Sequence, residues 1–175
     1  MGKDKLLLEY RSKSLIQHAV DLLSGLPVYE RIVVTSHTRS KLITLLTSTN
    51  LLVNEAPEIG ISESIYIGIA SAAGTHYLFL TADQPRLTVE DIMPLIEAAG
   101  ANTEKIIFPE IDSKPCSPTI FPEHFRQELL KLRGGDGGRV VRDSNREHCM
   151  AIKPDCPMNF IDVDNMEDYH GLLNR

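Results

Sequence analysis

Asp83 closes the most apolar run of the chain, "HYLFLTADQP", and Pro85 follows it, a residue that cannot donate a hydrogen bond to a sheet ladder. A carboxylate at the carboxyl tip of a buried strand is well placed for Mg2+, which takes one or two carboxylates together with phosphate oxygens and water. The plainer alternative is that Asp83 caps the turn made with Pro85. Asp162 and Asp164, in "IDVDNMED", are two residues apart, so in an extended segment both face one side and could meet one ion. Equally, they could precede a last helix whose first turn carries Glu167 and Asp168.

Positive charge and hydroxyls accompany these acids. "MGKDKLLLEY" sets Gly2 and Lys5 before an apolar stretch, where they could meet a phosphate chain or form a solvated basic terminus. In "GISESIYIGI", Ser62 and Ser64 stand at a helix start, where free backbone amides favour anions or polar ligand edges. Capping accounts for Ser62 and leaves Ser64 unexplained. "RGGDGGR", Arg133 to Arg139, could wrap a phosphate, but it lacks the lysine–serine ending of a P-loop and otherwise reads as a flexible connection.

These groups need a scaffold, and 175 residues with 42% hydrophobic content suit a single domain, residues 1–175, with a full core. A net charge of −6 with no basic cluster argues against a nucleic-acid groove, and no apolar run approaches the roughly 18 residues of a membrane span. The N-terminus lacks the apolar stretch of a secretory signal, and Cys116, Cys149 and Cys156 form no CxxC pair, so a reduced, cytoplasmic setting is expected.

Strand-like and helical segments alternate. Helices are expected at "SLIQHAVDLL", ending at Gly25, at "RSKLITLLTS", and after Ser62 as N-cap as far as Gly74. Another should start at the Thr88–Asp91 capping box, kinked or shortened by Pro94, then one at "PEHFRQELLKL" and one at "MEDYHGLLNR". Strands are expected at "RIVVTS", "NLLVNE", "HYLFLTA", "EKIIFPEI" and "SPTIFP" (flanking a turn at Asp112-Ser113), "HCMAIKP" and "MNFIDVD". Such alternation predicts an α/β fold, a mostly parallel sheet covered on both faces, with ligands at the carboxyl ends of the strands.

Taken in order, the segments resemble the molybdenum cofactor nucleotidyltransferases, the MobA-like NTP transferases. "MGKDKLLLEYRSKSLIQHAV" is similar to their R-M-G-x-x-K-L-L-L-x-Y opening, "GISESIYIGI" to their G-x-S-x-S segment, and "TADQPRLT" to their A-D-x-P motif. "CSPTIFPEHFRQELLKLRGGDGGRVV" resembles their P-[VT]-[LI]-F segment and G-D-x-G-A-R loop, and "IDVDNMEDY" their D-[IV]-D ending. Gln84 and "KLLLEY" lean toward the cytidylyltransferase branch. Ser12-Lys13-Ser14 in place of G-K-P, Met166 in place of proline, and Gly138 in the small-residue place of the loop are departures from the pattern.

The resemblance implies a three-layer Rossmann-like fold and transfer of a nucleotide from CTP, or less favourably GTP, to a phosphorylated pterin with release of pyrophosphate. It implies catalytic roles for Lys5 and Asp83, nucleotide contacts from Gly2, Lys5, Ser62, Ser64 and Asp83, and a Mg2+ held by Asp83 with Asp162 or Asp164. The family ordinarily has a strand and an L-A-A-G-x-S-x-R loop just before the M-G pair, and this sequence starts at that methionine. On that comparison the first strand is expected to be missing, with two alternatives to the pterin enzyme. One is a transferase acting on a sugar phosphate or another small phosphorylated acceptor. The other is an inactive relic that serves as a binding domain and associates through exposed sheet edges, as a homo-oligomer for example.

Overall fold

The computed structural model describes residues 5–37 and 50–174. The expected helix over "RSKLITLLTS" and Gly2 lie outside the described residues. A short hairpin, β1 (Glu9–Tyr10) with β2 (Lys13–Ser14), leads into α1 (Leu15–Gly25), where the Ser14 hydroxyl accepts from the Gln17 N–H. Pro27 follows, and the residue before a proline is pushed out of the helical region; Leu26 is accordingly extended at φ −73° and ψ 140°.

β3 (Ile32–Ser36) and β4 (Asn50–Asn54) pair in parallel, and α2 (Ile61–Ser71) packs on them. The larger sheet holds β5 (His76–Phe79), β6 (Ile106–Ile111), β7 (Lys114–Pro115), β8 (Thr119–Pro122) and β9 (Cys149–Ile152). β8 lies between β5 and β6 and runs against both, so β5 and β6 share a direction, and β9 joins β6 in parallel. The fold is mixed α/β with most strands of the larger sheet aligned, as expected, and β7 and β8 are its reversed members. Asp112 and Ser113, at φ 49° and 62°, make the tight turn of the β6–β7 hairpin.

Alternation along the strands serves two helical layers. Tyr77, Ile106, Phe108 and Phe121 pack with Ile69 of α2, Leu129 of α4 (Arg126–Leu129) and Val141 of α5 (Gly138–Ser144). Ile107 and Ile120 pack instead with Leu95 and Ala99 of α3 (Val89–Ala101). Adjacent residues such as Ile106 and Ile107, both fully buried, thus belong to opposite cores. A further cluster joins Tyr10, Leu15, Val163 and Leu172, docking α6 (Met166–Leu173) beside the first helix.

Several boundaries differ from expectation. Ser62 is not the N-cap of α2: Gly60 is, at φ +115°, and a Cβ there would come within 2.3 Å of the Gly134 carbonyl oxygen. That backbone-to-backbone approach starts the helix early and leaves Ser62 inside its first turn, 3% exposed. α2 also stops at Ser71, before Gly74. The Thr88–Asp91 capping box is present, yet α3 continues past Pro94 to Ala101, since the proline ring is exposed and costs the helix one hydrogen bond. "PEHFRQELLKL" forms a 3-10 turn, Glu123–Phe125, and the single turn of α4. "MNFIDVD" is not a strand: Pro157–Phe160 is a 3-10 turn, and the extended residues after it join no ladder.

Candidate active site

The apolar run that ends at Phe79 delivers Asp83 to the tip of β5, as an aligned sheet should. Its turn is fixed from three sides. The Val163 N–H donates to the Asp83 backbone carbonyl at 2.8 Å. Gln84, 4% exposed, donates through Nε2 to the Ser117 carbonyl at 3.1 Å and the Phe160 carbonyl at 3.0 Å. The loop before β8 and the segment before α6 are thereby tied to the same turn.

Lys5 enters from the other end of the chain, on the 3-10 turn Lys5–Leu7. Its Nζ donates to Asp83 Oδ2 at 3.3 Å and to Asp164 Oδ1 at 3.2 Å. Because Val163 is buried between them in sequence, Asp162 and Asp164 point away from that core contact. The acids press on one another. Desolvation, then the charges of Asp83 and Asp164, push Asp162 up to about 6, against the pull of the Gln84 amide and Lys5. Burial would lower the Lys5 ammonium, but hydrogen bonds and charge from Asp164 and Asp83 outweigh it and hold its pKa above the usual lysine value.

Two buried oxygens here have no hydrogen-bond partner, Asp83 Oδ1 and Gln84 Oε1. A carboxylate oxygen left unsatisfied beside a bridging ammonium suits a hard cation or a ligand hydrogen. Among the described residues, no three His, Cys, Asp or Glu side chains form a ready metal cage. Of the expected trio, Asp83 and Asp164 are bridged by Lys5 while Asp162 stands near them, so the three are not a closed ligand set. Mg2+ does not require one, since it retains water and shares phosphate oxygens.

At the start of α2, Ser62 is turned inward, its N–H donating to the Gly134 carbonyl at 3.2 Å. The "RGGDGGR" loop thus backs the helix instead of standing free. A shallow cleft of about 280 Å³ lies there, lined by Ile59, Ser62, Glu63, Tyr66, Leu132 and Arg133, none of them in the acidic cluster. Ser64 accepts from Asn54 Nδ2 at 3.0 Å. Asn54 and Gln84 were not among the expected site residues. Their sequence signal is the one that marked Asp83, a polar side chain at or just beyond the end of an apolar strand.

A lysine and several carboxylates thus meet beyond the tip of a strand in an α/β sheet, an arrangement suited to phosphate groups. The model of the MobA-like NTP transferase domain matches residues 1–149, and the chain belongs to that family. Among curated proteins none matches the sequence significantly. Among solved structures, Rv0371c from Mycobacterium tuberculosis H37Rv aligns with a TM-score of 0.79 at 21% identity, over 100% of this chain and 91% of that one. Its complex with manganese aligns at 0.76 and 20%, over 97% and 91%. A nucleotidyl transferase from Methanothermobacter thermautotroptrophicus, Mth528, aligns at 0.82 and 19%, over 97% and 83%. A 4-diphosphocytidyl-2C-methyl-D-erythritol synthase aligns at 0.75 and 18%, over 97% and 93%. No helix among the described residues is long and apolar enough to cross a membrane.

Proposed function

We propose that this nucleotidyltransferase moves CMP from CTP, in preference to GMP from GTP, onto the phosphate monoester of a small acceptor and releases pyrophosphate. The pterin phosphate suggested by the family resemblance is the first acceptor to test. The single observation that carries the reading is the position of Lys5, whose ammonium reaches both Asp83 and Asp164.

In this reading an acceptor phosphate oxygen attacks the α-phosphorus, the bond from that phosphorus to the bridging oxygen breaks, and pyrophosphate leaves with the electron pair. No side-chain nucleophile is needed. Lys5 contacts the triphosphate and offsets negative charge that grows during transfer. Asp83, with Asp164 or Asp162 beside it, would hold Mg2+, which when bound supplies Lewis-acid neutralisation of phosphate oxygens. Oxygen donors suit Mn2+ equally, the ion in the complex of the mycobacterial neighbour. Ser64 faces the base in this reading, and Asp83 lies toward the phosphates.

A sugar-type phosphate acceptor is the alternative favoured by the 4-diphosphocytidyl-2C-methyl-D-erythritol synthase neighbour. The test incubates the chain with each of four nucleoside triphosphates, Mg2+ and either a molybdopterin or 2C-methyl-D-erythritol 4-phosphate, and measures pyrophosphate. Release with CTP and the pterin is expected. Release with the erythritol phosphate alone moves the acceptor class, and release with neither contradicts the reading.

A further inference from the structure

Asn54 is the last residue of β4, 2% exposed, an amide buried at the tip of a strand. Its side chain has a fixed orientation. The Ala56 backbone N–H donates to Asn54 Oδ1 at 2.9 Å, and an N–H can meet only the oxygen end of an amide. The nitrogen end must therefore be the one that meets Ser64 Oγ at 3.0 Å. An NH2 group in turn can only donate, so the serine oxygen accepts and its own proton points elsewhere.

A serine inside a helix commonly gives that proton to the carbonyl four residues back. Ser64 does not: its hydroxyl donates to no acceptor among the described residues, and the side chain is only half-buried. We propose that Asn54 is a positioning residue for specificity, locking the Ser64 hydroxyl so that its proton is offered to a hydrogen-bond acceptor on the nucleobase. The inference rests on the reading above in which Ser64 faces the base. The ligand chemistry is a nucleoside triphosphate with a carbonyl oxygen or unprotonated ring nitrogen on the edge that meets α2; cytosine carries both. A ligand edge with an N–H at that place would meet a second donor and be disfavoured.

The test compares CTP with tripolyphosphate, which keeps the phosphate chain and lacks the base. Calorimetric titration with Mg2+ present is run on the wild-type chain, Ser64→Ala, Asn54→Asp and the double variant, with thermal melts to verify folding. Asn54→Asp puts an acceptor where the donor was, so the serine proton turns inward. The single variants are each expected to weaken CTP about 5- to 10-fold while leaving tripolyphosphate within about 2-fold of wild type. The double variant should bind CTP no more weakly than Ser64→Ala, since the two changes remove one interaction. Unchanged CTP affinity in either single variant, or equal losses of CTP and tripolyphosphate, overturns the inference and leaves the nucleotide reading intact. Should Asn54→Asp fail to fold, Asn54→Ala takes its place, with the same loss expected and the same unchanged affinity overturning the inference. A wild-type chain that binds neither CTP nor GTP overturns both together.

Discussion

Val163 gives its N–H to the backbone carbonyl of Asp83 at 2.8 Å while its side chain is 1% exposed in the cluster under α6. One residue therefore joins the last helix to the turn at the tip of β5. Burying a valine of this kind contributes roughly 1.5–3 kcal/mol, which holds the neighbouring Asp162 and Asp164 in register with Asp83.

In the proposed reading Lys5 and a divalent cation compete for the same carboxylates in the chain without nucleotide, and cooperate once a triphosphate is bound. Lys5→Ala should therefore lower kcat/KM about 100-fold. It should leave Mn2+ affinity of the nucleotide-free chain unchanged or higher. Steady-state pyrophosphate release and manganese titration followed by electron paramagnetic resonance check the two halves separately.

The Asp162 carboxyl, raised to about 6 from its ordinary 3.8, sets a pH dependence. Between about pH 4 and 6 the folded chain keeps a proton that the unfolded chain has released. Stability from this group is thus fully present below the unfolded value and is lost as pH rises through the folded one. Asp162→Asn should melt a few degrees higher than wild type at pH 7.5, with the difference vanishing near pH 4. Divalent-ion binding runs the other way in wild type, strengthening as pH rises through 6. Melting curves and manganese titrations across pH 4–8 measure both.

Gln84 holds two carbonyls that lack another donor on this turn. Gln84→Leu leaves the Ser117 and Phe160 carbonyls unpaired and should cost about 1–3 kcal/mol in chemical denaturation. It should also lower turnover, because the segment that carries Asp162 keeps only the Val163 hydrogen bond to the Asp83 turn. A variant of wild-type stability would remove Gln84 from this role.

The place of Asp83 just past the end of a buried strand was legible in the sequence because an apolar run there gives way to Asp-Gln-Pro. Its meeting with Lys5 was not, since no spacing rule reaches from residue 5 to residue 83; only the resemblance to a family joined them. The start of α2 was misplaced because Ser62 has the composition of a cap, while the actual cause is the contact between Gly60 and Gly134, two loops remote in sequence. "MNFIDVD" looked like a strand because Phe160 and Val163 are apolar, but each serves a different core and neither lies in a ladder. The pairing of Asn54 with Ser64 depends on how β4 and α2 pack, which periodicity does not encode.

The central claim is that the Asp83 carboxylate holds a divalent ion against a bound triphosphate. Calorimetric CTP affinity, measured with and without Mn2+ on wild type and Asp83→Asn, tests it most directly. The account predicts that Mn2+ strengthens CTP binding at least about 10-fold in wild type and hardly at all in Asp83→Asn, with the melting temperature retained. The same metal dependence in both chains would contradict it.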